Sequence, residues 1–376
     1  MKSAYRETRL RSPWQIAWWI GSVLPLAACL GGSDENSLPT PRATFNNLGF
    51  LPGYVSSQAA AASSDGTVIV GTVETAAGNR QAFRWDARHG MIGLGFLPGG
   101  FSSMATAASA NGAVIVGVGD AASGDPSTPS AAFRWTADAG LQRVDSLPGS
   151  YLCHAGGVSG DGTVVVGTCL QANNTAFRWM ASTGPIALTR FGGGSNQQST
   201  ASAISLDAAV IVGAGHPSLT GAVMWTVDGS SAILGNLPGD VEGTATAVSR
   251  DGSMVVGSSM DSAGNCRAFR WTQQGGMVGL GGHVDGLLGT CAASVSGDGR
   301  IIVGWGPTAT GDVALTWDAD RGVRRLDAAL LTDYQMQITG WKLTRATAIS
   351  DDARTIAGYG TNPQGQTEAW IVNLPD

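Results

Sequence analysis

The sequence predicts an all-β protein, a seven-bladed β-propeller with four antiparallel strands per blade. Three observations carry this reading. First, a tryptophan recurs seven times, at Trp85, Trp135, Trp179, Trp225, Trp271, Trp317 and Trp370. The intervals are 50, 44, 46, 46, 46 and 53 residues, and a period of about 40–50 residues marks a repeat architecture. Second, each unit holds four short β-type runs bounded by turn residues, the pattern of a propeller blade. Third, 55 of the 376 residues are glycine, and only 13 % are charged. With 43 % hydrophobic residues, that composition fits a turn-rich β protein with a core rather than a disordered chain. A parallel β-helix is the rival, but its rungs are shorter and do not call for a tight hairpin in every unit.

The first segment reads as an address. Lys2, Arg6, Arg9 and Arg11 form a basic start, and the stretch from Pro13 to Ala28 is apolar. At about 16 residues it is shorter than the roughly 20 a membrane helix needs. It ends in Leu26-Ala27-Ala28-Cys29, which resembles the lipobox of bacterial lipoproteins. That resemblance implies cleavage before Cys29, a diacylglyceryl group on Cys29 and, since Leu30 is not Asp, sorting to the outer membrane. Residues 1–28 are then a lipoprotein signal peptide and residues 29–43 a flexible tether with Gly31, Gly32, Pro39 and Pro41. An ordinary signal peptide with a stray cysteine is the alternative.

Residues 44–376 form the propeller, and its fifth unit shows the plan. Run a is Gly243–Ser249 and run b Ser253–Gly257, joined through Asp251-Gly252. Run c is Arg267–Thr272, holding Ala268-Phe269-Arg270-Trp271, and run d is Met277–Gly281. Asp-Gly between two such runs is a hairpin signal. The a–b turn recurs as Asp65-Gly66, Asn111-Gly112, Asp161-Gly162, Asp207-Ala208, Asp298-Gly299 and Asp352-Ala353. Run b ends on Gly71, Gly117, Gly167, Gly213, Gly257, Gly304 and Gly358, and Leu-Pro-Gly joins units at 51–53, 97–99, 147–149 and 237–239. The seventh unit stops after run c, while Thr44–Gly49 aligns with a run d. The N-terminal run is therefore expected to close the ring and remove a sheet edge.

The units also resemble the HAF repeat, a family of probable extracellular bacterial repeats. The matching steps are Gln81-Ala82-Phe83, Ala131-Ala132-Phe133, Thr175-Ala176-Phe177 and Arg267-Ala268-Phe269, each without the family's His. In the last unit, Gly340-Trp341-Lys342-Leu343 and Ala346-Thr347-Ala348-Ile349-Ser350-Asp351 match more specifically. The resemblance implies an extracytoplasmic β fold and brings no reaction or ligand.

Repeated residues are expected to be structural. Trp and Phe of run c should pack between sheets. Arg84, Arg134, Arg178 and Arg270 need partners if buried, and the turn Asp is one candidate. Ligand residues are sought where the blades differ, on the face of the b–c and d–a connections. The b–c loops (72–80, 118–130, 168–174, 214–220, 258–266, 305–311 and 359–367) vary, and loops on a rigid scaffold carry binding residues. The candidates there are Tyr54, Tyr151, His154, Asp240, Glu242, His283, Trp305 and Tyr359.

Catalytic patterns are thin. The four histidines lie in separate units, and there is no metal-binding His spacing, nucleophile elbow or phosphate loop. No cofactor and no metal is expected. The first 28 residues take four of the 22 basic and one of the 28 acidic residues, leaving 18 against 27. No basic face for nucleic acid follows from that balance. Cys153 and Cys169 are equidistant from Asp161 and should pair across the hairpin. The pairing of Cys266 with Cys291 is weaker on spacing. The favoured function is a monomeric, lipid-anchored binding module of the bacterial cell envelope. It takes a protein or glycan on the b–c/d–a face and faces the periplasm or cell surface. The alternatives are an envelope hydrolase or lyase at the channel mouth and a structural or assembly-factor lipoprotein.

Overall fold

A computed structural model describes residues 42–120, 130–191, 197–216, 221–281 and 284–375. The signal segment, Cys29, most of the tether and His283 lie outside the described residues. Seven four-stranded antiparallel sheets follow one another along the chain. Blade 5 is typical, with strand a Glu242–Val248, b Met254–Met260, c Cys266–Thr272 and d Gly276–Gly279. Blade 1 runs Ser56–Ala62, Val68–Glu74, Arg80–Asp86 and Gly90–Gly93. Blade 6 runs Cys291–Val295, Ile302–Thr308, Gly311–Asp318 and Gly322–Arg325. A helix, Leu326–Tyr334, follows blade 6. Blade 7 holds Lys342–Ile349, Thr355–Thr361 and Thr367–Asn373, and its fourth strand is Thr44–Asn47 from the start of the propeller.

The core is divided among the gaps between blades. Among the described residues seven apolar clusters form, each shared by two neighbouring blades. One joins Ile371 and Ala369 of blade 7 to Ile69 and Phe83 of blade 1, so the seventh gap is filled like the others and the sheets form a ring. Phe83, Phe133, Phe177 and Phe269 are fully buried. The tryptophans two residues on, Trp85, Trp135, Trp179 and Trp271, are only half-buried. Blade 7 corrects the spacing argument. Trp370 pairs with Gly358 as Phe83 pairs with Gly71, so Trp370 stands in the phenylalanine position and Val372 in the tryptophan position.

Strand a of every blade carries a β-bulge, centred on Ala60, Thr106, Gly156, Ser202, Thr246, Ala293 and Thr347. Glycine ends run b because the bulge and the aromatic ring leave no room for a side chain. A Cβ at Gly71 would lie 2.0 Å from the Gln58 carbonyl oxygen and 2.8 Å from the Phe83 ring. Thr106, Thr246 and Thr347 turn the bulge into a staple. Each hydroxyl donates to a carbonyl of the next blade, at Ala155, Ala292 and Ala59, over 2.9 Å.

The a–b turns contain a serine that the sequence reading passed over. Ser63 is buried, accepts from the Val68 amide at 3.0 Å and donates to Asp65 at 2.6 Å. Ser109, Ser159, Ser205, Ser249, Ser296 and Ser350 repeat the amide bond in the other blades. The turn Asp therefore serves its own hairpin, not the run-c arginine. Arg84 pairs instead with Asp86, and Arg134 donates to the Gly162 carbonyl at 3.3 Å. At this end the channel is drawn together by backbone bonds between blades. Ser64 donates to Ala110, Ala110 to Gly160 and Gly160 to Leu206, while Gly297 donates to Asp351 and Asp351 to Ser64. Blade 5 has Arg250 at this position, and its guanidinium reaches the Asp351 carboxylate of blade 7 at 3.3 Å.

Candidate functional site

The opposite end of the channel opens into a cavity of about 930 Å³. That volume lies within the range of ligand sites, about 300–1,000 Å³. Strands a and b of blades 1, 5, 6 and 7 build its wall, through Gln58, Thr72, Thr244, Ser258, Trp305 and Tyr359. Met260, Leu288, Pro307 and the Cys266–Cys291 pair add apolar surface. No Asp, Glu, His, Lys or Arg is among the described residues that line it. Thr246 and Thr347 also line it, but their hydroxyls are held by the carbonyls of neighbouring blades.

One side of the wall is an organised aromatic cluster. Tyr359 and Arg345 are cross-strand partners in blade 7. The Arg345 guanidinium carbon lies 3.8 Å from the centre of the Trp305 ring, a cation–π contact across the gap to blade 6. Asp312 fixes that guanidinium, accepting from Nε at 2.8 Å and from Nη2 at 2.6 Å. Burial raises the Tyr359 pKa above the ordinary tyrosine value, only partly offset by Arg345, so the phenol is neutral at pH 7. The cluster therefore presents aromatic surface and a neutral hydroxyl, with its one cation neutralised behind Trp305.

Of the eight candidates, the structure brings Trp305 and Tyr359 together on this cavity. Tyr54 packs in the cluster between blades 7 and 1 and donates its hydroxyl to Gln81 at 3.2 Å. Asp240 lies beneath Arg267, which donates to it through Nε at 3.0 Å. Glu242 stands 3.9 Å from His216. His154 occupies in blade 3 the register position that Gln58 and Thr244 hold in blades 1 and 5. It is open to water yet crowded by the channel wall, and that partial desolvation lowers its pKa. Tyr151 is exposed on the d–a connection.

Sequence reasoning missed Arg345 and Asp312. Arg345 aligns with residues of unrelated type in the other blades, and its partner lies on a different blade. Only the register shows that they meet. The structure joins Cys153 to Cys169 within blade 3 and Cys266 to Cys291 between blades 5 and 6. The second pair looked weaker on spacing because its halves lie in different repeats. In the ring, strand c of blade 5 runs beside strand a of blade 6, where the Thr290 amide donates to the Cys266 carbonyl at 2.7 Å. Among the described residues, no three His, Cys, Asp or Glu side chains converge to hold a metal, and no helix is long and apolar enough to cross a membrane.

No protein-family model and no curated protein matches the chain. The resemblance to the HAF repeat therefore rests on the quoted residues alone. Among solved structures, the chain is similar to a prolyl endopeptidase, at 11 % identity over 86 % of this chain and 51 % of that one, with a TM-score of 0.56. It is also similar to the β-propeller domain of the Trilobed protease from Pyrococcus furiosus, at 8 % identity over 85 % of this chain and 95 % of that one, with a TM-score of 0.55. TolB from Acinetobacter baumannii matches at 14 % identity, 69 % and 63 % coverage and a TM-score of 0.46. The chain thus spans about half of the endopeptidase and less than two thirds of that TolB. The first two likenesses show a β-propeller fold, and at this identity they show the fold alone.

Proposed function

We propose that this chain is an extracytoplasmic binding module of the bacterial envelope, anchored by lipid on Cys29, whose ligand sits at the channel mouth between blades 5, 6, 7 and 1. The anchor rests on the sequence from Lys2 to Cys29. The binding site rests on one observation: an open cavity whose aromatic wall is held in place by Asp312 and Arg345 and whose described lining is uncharged. A hydrolase using paired carboxylates would need two of them facing the ligand. Asp312, the carboxylate next to the wall, is already committed to Arg345. The lining therefore supports binding over the hydrolase or lyase reading.

A photo-crosslinking amino acid at Tyr359 tests the site in living cells. It should give discrete adducts, while the same group at Asp207, on an a–b turn, should give none. Indistinguishable adduct patterns from the two positions would remove the mouth as the site.

A further inference from the structure

We infer that the mouth recognises a protein segment with an apolar anchor flanked by basic residues. This rests on the reading of the mouth as the binding site and adds the class of ligand. The first observation is a set of exposed apolar side chains around the mouth. Val55, Phe101, Tyr151 and Val241 each stand two residues after a Leu-Pro-Gly joint, on the d–a connection. Leu288 holds the same place in blade 6, three residues before Cys291, as Val55 stands three before Gln58. These five side chains are 44–63 % exposed. Exposed apolar residues on a monomer are ordinarily scattered, whereas one repeat position shared by five blades makes two apolar arcs, over blades 1 to 3 and blades 5 and 6. Blades 4 and 7 separate them with Gln197 and Lys342.

The second observation is what the rim surrounds. An uncharged cavity flanked by arcs of apolar side chains has the anatomy of a protein interface, with a central pocket for one anchor and contacts beside it that exclude water. A small molecule filling the cavity would leave the rim exposed. The third observation is charge. Asp240 and Glu242 flank Val241. Asp261 follows Met260, whose carbonyl accepts from the Val241 amide at 2.8 Å. Arg267 is the cation among them, and Asp240 holds it. The blade 5 stretch of the rim, away from Lys342 on blade 7, therefore favours basic groups beside the anchor. It also disfavours an anionic lipid surface and a second copy of this acidic chain.

The test uses the purified protein and three fluorescein-labelled peptides, each with a Leu-Trp-Leu centre and flanked by lysine, serine or aspartate. Anisotropy should show the lysine peptide binding about tenfold tighter than the aspartate peptide at low salt, with the gap closing at high salt. Ala293→Trp, which fills the cavity, should weaken all three peptides. So should the paired rim change Val241→Ser and Leu288→Ser, which touches only exposed positions. Equal binding of the lysine and aspartate peptides overturns the inference. A neutral hexasaccharide that binds where no peptide does, and loses binding in Ala293→Trp, overturns it while leaving the mouth as the site. Failure of every probe, with Tyr359 adducts unchanged by Ala293→Trp, overturns both.

Discussion

Seven buried serines bind the opening amides of their b strands, and in blade 3 the acid beside the serine gives the hairpin a pH dependence. In blade 3 the Ser159 hydroxyl, followed by the Thr163 amide, holds the Asp161 carboxyl below its ordinary pKa. A group whose folded pKa lies below its unfolded one adds stability above the unfolded value and loses it as pH falls through the folded value. The loss should therefore begin near about pH 4 and deepen below it. Blade 2 supplies a natural comparison, because Asn111 accepts the same bonds from Ser109 and Ala113 and does not titrate. Asp161→Asn should change the melting temperature little near neutrality and make its fall below about pH 4 shallower. A melting series with equal acid slopes for the two proteins would refute this account. The Asp-Gly steps were plain in the sequence, because a tight hairpin restricts which residues can occupy it. The serine two places before them was not, since Ser in a run of small residues looks no different from filler until its burial is known.

The fourth strand of blade 7 is the element whose origin lies farthest from its place in the fold. Thr44–Asn47 pairs antiparallel with Thr367–Asn373 in a fixed register, Thr44 opposite Asn373 and Asn47 opposite Trp370. Phe45 packs edge-on against Trp341 at 5.2 Å and lies 6.3 Å from Trp370. The buried Glu368 ties down the far end, accepting from Asn47 Nδ2 at 2.7 Å, from the Gly49 amide at 3.1 Å and from Asn362 Nδ2 at 2.7 Å. Deleting 44–49 would uncover the edge of Thr367–Asn373 and strip two partners from a buried carboxylate. The deleted protein should melt lower and form oligomers in light scattering at concentrations where the parent stays monomeric. An unchanged melting point with no oligomers would show that the strand is dispensable for closing the ring. The pairing was readable from the missing run d because a repeat makes an absent strand conspicuous. Glu368 was not readable, because it occupies the place of Gln81, Ala131, Thr175, Gly221, Arg267 and Val313, where the repeat sets no residue type.

At the scale of the whole molecule the two ends of the channel differ, and the first propeller strand starts, at Thr44, at the end away from the cavity. Strand Thr367–Asn373 leaves the b–c face at Thr367, so Asn373 and its partner Thr44 lie at the a–b face. There the inter-blade backbone bonds and the Arg250–Asp351 pair draw the channel together. The repeat period made the ring legible, yet the mouth was legible only in part. Trp305 and Tyr359 stood out as departures from the repeat. Of the rim, Tyr151 was among the candidates, whereas Val55, Phe101, Val241 and Leu288 were not, because a single apolar residue in a loop carries no signal until its exposure is known. A lipid on Cys29 would hold the domain by its a–b end, leaving the cavity on the face away from the point of attachment. Cys29→Ser should move the protein from the membrane fraction to the soluble fraction and remove the lipid mass from its N-terminal peptide. Its affinity for the lysine-flanked peptide should stay within about twofold of that of the lipidated protein in detergent or liposomes if attachment at the a–b end leaves the mouth open. A parent protein whose N-terminal peptide carries no lipid mass on Cys29 would end the lipoprotein reading. Tighter peptide binding by about tenfold once the lipid is gone would mean that the mouth faces the bilayer, and the binding surface would have to be sought elsewhere on the ring.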